Sequence, residues 1–191
     1  MASALAAARA CRLCAAHLPA GPQPVVQADA AARIMIIGQA PGTRVHASGR
    51  PFDDPSGDRL RAWLGVDRDA FYDPARFAIV PMGLCYPGTD ARGADRPPRP
   101  ECAPIWQPRI GAHLPNVALT LLIGAYAQRF HLGGAARRTL TETVRDWRAH
   151  TPKCLPLPHP SWRNTAWLKK NPWFEAEVVP WLRERVAALA R

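Results

Sequence analysis

Ile34-Met35-Ile36-Ile37-Gly38-Gln39-Ala40-Pro41-Gly42 is the stretch that sets the architecture of this chain. Four consecutive apolar residues closed by Gly and Pro read as a strand buried on both faces, and such strands belong to parallel sheets covered by helices. In open α/β sheets ligands bind beyond the carboxyl ends of the strands, where residues 38–42 fall. A second loop of the same kind, His159-Pro160-Ser161, follows the short run at 154–157. Two loops at one sheet edge can frame one site.

Further strands are expected at 77–81, 117–123 and 154–157. Helices are expected at 1–15, 58–64, 104–114, 124–130, 141–147 and 172–190, from apolar residues at helical spacing. The stretches 41–57 and 86–100 are rich in Gly and Pro and read as irregular loops. Strands alternating with helices imply a mostly parallel sheet covered on both faces. A chain of 191 residues buries a substantial core unaided, so one domain over 1–191 and a monomer are expected.

Twenty-five Lys and Arg against fifteen Asp and Glu leave a formal charge of +10. Such a surface attracts polyanions at long range, and nucleic acid is the obvious partner. An Arg-rich soluble protein without such a partner accounts for the charge equally well. No run of eighteen apolar residues exists, so no membrane partner is expected. Residues 1–11 lack a basic segment ahead of an apolar one, and a cytoplasmic protein is expected.

Five cysteines, an odd number, argue for metal ligation or reactive thiols rather than a disulfide framework. Cys11 and Cys14 form a CxxC pair, and Cys85 and Cys102 form a second pair with sixteen residues between them, in a Pro-rich loop. Four thiolates suit a structural Zn²⁺ or an iron–sulfur cluster alike. The bland alternative is that Cys85 and Cys102 are ordinary buried residues and only the CxxC carries meaning. Cys154, within an expected strand, reads as a core residue.

Taken in order, Cys11/Cys14, Gly38–Gly42, Gly49-Arg50-Pro51-Phe52, Cys85/Cys102 and His159-Pro160-Ser161 resemble the uracil-DNA glycosylase superfamily, and most closely its iron–sulfur branch. Each motif is weak alone, and five in order over nearly the whole chain are specific. The resemblance implies a three-layer α/β/α sandwich on a four-stranded parallel sheet. It also implies a [4Fe-4S] cluster on Cys11, Cys14, Cys85 and Cys102, with Zn²⁺ as the alternative, and DNA as partner. The implied activity is hydrolysis of the N-glycosidic bond of uracil or another deaminated base, by a monofunctional glycosylase of base excision repair.

That chemistry requires a flipped base, an aromatic face to stack on it, and stabilisation of the charge that develops as the bond breaks. The resemblance assigns stacking to Phe52 and a hydrogen bond to the departing base to His159. Ser161, Trp162, Arg163 and Asn164 would then grip phosphates or probe the gap left by the base, with Trp162 as an apolar wedge. Gly38, Ala40, Pro41, Gly42, Phe52 and Met82 would line the base pocket.

The chain departs from its relatives at two places. Neither Gln39 nor Ala40 carries a carboxylate, where the iron–sulfur branch has Glu at the first position and other branches Asp or Asn at the second. Asp54 is therefore the expected catalytic carboxylate, with Asp53 as its near alternative and Gln39 with the loop backbone as the other candidate for positioning water. Asp58 is expected in the first turn of the following helix, where a carboxylate complements the macrodipole. Pro81-Met82-Gly83 replaces the Asn that reads uracil in relatives, leaving the Gln39 amide or the backbone of residues 39–42 as substitutes. A catalytically silent iron–sulfur protein that binds nucleic acid is the competing expectation.

Overall fold

The computed structural model describes residues 1–190. Four strands, β1 (Ile34–Ile37), β2 (Phe77–Ile79), β3 (Leu119–Ile123) and β4 (Cys154–Leu157), form one sheet in the order β2-β1-β3-β4. Every pairing is parallel: Ile34 lies opposite Phe77 and Leu119, and Leu121 opposite Leu155. All four carboxyl ends therefore point to one edge.

Alternation along the strands builds two cores. Ile34, Ile36, Phe77, Ile79, Leu119, Leu121, Leu155 and Leu157 face one layer, while Met35, Ile37, Ala78, Val80 and Leu122 face the other. Helices cover both faces, giving a three-layer α/β/α sandwich. The elements are α1 (Ala2–Arg9), α2 (Thr43–Ser48), α3 (Pro55–Leu64), α4 (Arg68–Tyr72), α5 (Cys102–Gly111), α6 (Gly124–Leu132), α7 (Leu140–Arg145), α8 (Thr165–Lys170) and α9 (Val179–Leu189). Leu60, Trp63 and Leu64 of α3 pack with Leu182 and Val186 of α9 on the first face, and Leu5 of α1 with Trp106 and Ile110 of α5 on the second. No described helix is long and apolar enough to cross a membrane.

The departures from expectation are local. α1 stops at Arg9, leaving Cys11 and Cys14 in the turns beyond it. α3 begins at Pro55 rather than at 58, because Asp54 caps it and Pro55 suits the first helical turn. Asp58 does lie in that first turn. α2, α4 and α8 were not expected; each has six residues or fewer, too short for helical periodicity to show. The C-terminal helix opens with a π-helical turn, Phe174–Val178, ahead of α9. Pro180 has no N–H to offer the preceding turn, which accounts for that irregularity. The outer edge of β2 is covered by residues 25–27, where Gln27 bridges Ile79 antiparallel and the Val25 N–H donates to Leu84 O at 2.7 Å.

Candidate active site

A cleft of about 360 Å³ opens at the carboxyl edge of the sheet. Its walls come from the loop after β1 (Gly38 to Gly42), the segment Pro51 to Ser56, Pro81 after β2, and His159, Ser161, Trp162 and Arg163 after β4.

Phe52 and Asp54 are held there by the start of α3. Asp54 Oδ1 accepts from the Gly57 N–H at 2.9 Å, satisfying one of the free donors of that helix end. The chain folds back so closely that a Cβ on Gly57 would stand 1.8 Å from Phe52 O. Only glycine fits. Phe52 itself has φ of 54°, the single described non-glycine residue with positive φ, a strained conformation of the kind that concentrates at ligand sites. Its ring lies over Gly38, whose absent Cβ would sit 3.1 Å from Cζ, and meets Phe71 edge-on.

The paired acids in this segment separate cleanly. Asp53 turns away from the cleft to Arg68 at 2.7 Å, and that hydrogen bond holds its carboxyl below the usual range. Asp58 pairs with Arg61. Asp54 alone of the three lines the cleft.

His159, two residues past the end of β4, lines the cleft together with Asp54. The Ser161 N–H donates to His159 Nδ1 at 3.2 Å, so the neutral ring carries its proton on Nε2. Burial lowers the His159 pKa, opposed by the negative charges of Asp54 and Asp95, and the imidazole is neutral near pH 7. The Asn164 side-chain amide donates to His159 O at 2.8 Å and braces the turn. Arg59 of α3 ties the two loops together, donating to Ser161 O at 2.9 Å. Trp162 is 72% exposed, beside the cleft, with the Arg163 guanidinium 5.4 Å from its ring centre.

Two expected pocket residues behave differently. The Met82 side chain, 5% exposed, packs in the second core and does not line the cleft, because its N–H is tied to Gly38 O at 2.9 Å and turns the chain inward. Gln39 lines the cleft, yet its amide donates to Arg96 O at 3.2 Å and so holds the loop at 88–96. That loop brings Asp95 into the cleft, a residue no sequence motif marks. Arg59 and Gly57, both within α3, were not marked by any sequence motif either.

Away from the cleft, Cys11, Cys14, Cys85 and Cys102 line one small cavity between the segment after α1 and the start of α5. Burial pushes the Cys85 thiol up to about 11 and the Cys102 thiol to about 12. The Leu84 N–H donates to Cys102 Sγ at 3.3 Å, and Glu101 stands 4.0 Å from Cys14 Sγ. Among the described residues no three His, Cys, Asp or Glu side chains converge closely enough to hold a single metal ion. Cys154 is half-buried against the second core.

Sheet and cleft together define an α/β protein with its cleft at the carboxyl edge of a parallel sheet covered on both faces, the edge at which such sheets bind ligands. The chain belongs to the uracil DNA glycosylase superfamily, whose family model matches residues 25–183. The match contains both cleft loops, Cys85 and Cys102, while Cys11 and Cys14 precede it.

Proposed function

We propose that this protein is a monofunctional DNA glycosylase that hydrolyses the N-glycosidic bond of uracil or another deaminated base. The observation that carries the reading is the meeting of Phe52, Asp54 and an Nε2-protonated His159 in one cleft within a chain of this superfamily. A flipped base stacks on Phe52, while His159 Nε2–H donates to the base oxygen on which negative charge develops. Water attacks C1′ as the C1′–N bond breaks. The bonding pair leaves with the base, and Asp54, through the carboxylate oxygen not used in capping, orients the water, takes its proton, and offsets the positive charge of the sugar. Trp162 enters the space vacated in the stack, and the basic surface neutralises phosphates.

The four cysteines are proposed to hold a [4Fe-4S] cluster, with Zn²⁺ as the alternative. Their common cavity and the Leu84 N–H aimed at Cys102 Sγ support ligation, since such a bond stabilises the thiolate that binds metal. The cluster's chemistry there is structural, joining residues 11–14 to α5.

The test is direct. Purified protein is incubated with duplexes bearing one uracil, hypoxanthine or xanthine, and abasic sites are opened with alkali. Strand breaks with at least one lesion, lost in Asp54→Asn, are expected; binding without breaks for every lesion defeats the proposal.

A further inference from the structure

A base pocket needs polar groups that match the edge of its base, because the wrong base leaves them unpaired. The strand that supplies an amide in relatives supplies none here. The Met82 side chain is buried, and the carbonyls of Val80 and Pro81 accept from the buried Gln107 amide at 2.9 and 3.1 Å. Base reading must come from elsewhere in the cleft.

The loop at 88–96 is built to present one side chain. Asp90 Oδ1 accepts from the N–H groups of Arg92 and Ala94, both at 2.9 Å, and the Arg96 N–H returns to Gly88 O at 2.9 Å. Gly93, with φ of 72°, makes the tight reversal that an L side chain rarely adopts. Both cleft loops then grip this turn: Gln39 holds Arg96 O, and Arg163 donates to Gly93 O at 2.8 Å. Between those anchors stands Asp95, facing bare Gly42, where a Cβ would lie 3.8 Å from its Oδ2. Asp53, Asp54, Asp58 and Asp90 are each bonded to a neighbour. Asp95 has no such donor among the described residues, although a free carboxylate in a DNA-binding cleft repels the phosphates it must receive.

We propose that Asp95 determines specificity: its carboxylate accepts the ring N–H of the flipped base while His159 Nε2–H donates to the adjacent carbonyl. The pair reads the –CO–NH– unit that deamination creates. Uracil, hypoxanthine and xanthine carry that unit, as thymine and guanine do, whereas the parent bases cytosine and adenine present a ring-nitrogen lone pair where the N–H would be. A carboxylate repels that lone pair, so the two groups tell a deaminated C or A from its parent. The Asp95 charge acts on the His159 imidazole, which places the two groups in one electrostatic environment. This assignment rests on the glycosylase reading and names its substrate class.

Binding separates the two ideas. Duplexes carrying one 2′-fluorinated, non-hydrolysable uridine or deoxyinosine analogue, and the matching cytidine and adenosine controls, are titrated against wild-type protein, Asp95→Asn and Asp95→Ala by fluorescence polarisation. Wild-type protein is expected to prefer the deaminated nucleotides by about tenfold to a hundredfold, the range of one hydrogen bond to a charged group. Both variants, which leave the exposed loop folded and the melting temperature unchanged, should lose most of that preference. A preference retained in both variants, or absent in wild-type protein, overturns the role of Asp95. A preference intact in wild-type protein that excises no lesion defeats the glycosylase reading and leaves Asp95 as a base reader.

Discussion

The backbone N–H of Ser161 donates to His159 Nδ1 at 3.2 Å, so the tautomer of the imidazole is set by the loop that carries it. Protonation would place a second hydrogen against that N–H and break the bond. Burial already lowers the His159 pKa, with Asp54 and Asp95 opposing. Excision is therefore expected to be flat in His159 protonation near neutral pH and to fall as pH drops through a value below about 6.5, the ordinary range for His. Stability follows the same direction: the unfolded chain takes up the proton first, so stability declines as pH falls from about 6.5 to the folded pKa and levels below it. A pH profile of kcat/KM, with the imidazole followed by NMR, checks this; the same acid limb in His159→Gln would remove His159 as its source.

Asp54 has two jobs that substitution can separate. Asparagine caps a helix as well as aspartate does, so Asp54→Asn should keep the melting temperature while lowering kcat by about 10²- to 10⁴-fold. Asp54→Ala should lose the same activity and about 1 kcal/mol of stability besides. An active Asp54→Asn enzyme would return the water-positioning role to Gln39 and the backbone of the first loop.

Gly57→Ala is expected to damage the site more than the core. Its methyl group would collide with Phe52 O at 1.8 Å, a backbone atom that must move. The displacement carries the Phe52 ring off Gly38, so excision and lesion binding should both fall, with about 1–3 kcal/mol lost from stability in chemical denaturation. Gly134→Ala, where nothing stands within 4 Å, is the control expected to be neutral in both.

Replacing Cys85 or Cys102 with Ser tests the metal proposal without reference to activity. Wild-type protein should be brown with broad visible absorbance and contain iron and sulfide; either variant should be colourless and melt lower, because metal binding contributes folding energy. Wild-type protein that is colourless and loaded with zinc would replace the cluster by a single ion.

Much of the fold was legible because its strands are unbroken apolar runs with abrupt polar ends: β1 and β4 fall at 34–37 and 154–157 as expected. Phe52, Asp54 and His159 were singled out through the resemblance of the motifs at 49–58 and 159–161, which are local patterns of Gly, Pro and Ser and so are visible in a single chain. The short helices α2, α4 and α8 were not, since one or two turns are stabilised by tertiary packing rather than by periodicity.

The amino-acid sequence alone determined that a parallel sheet would place two loops on one edge, and which motifs those loops carry. Only the tertiary structure decided which acid faces the cleft, that Met82 does not, that Gln39 supports a loop, and that Asp95 arrives from a segment remote in sequence. The reason is physical. Strand and turn patterns are written in neighbouring residues, whereas the direction of an Asp or Gln side chain depends on whichever donor or acceptor lies within about 3 Å in space. Arg68 donates to Asp53, the Gly57 N–H donates to Asp54, and the Arg96 carbonyl accepts from Gln39 across 57 residues of chain.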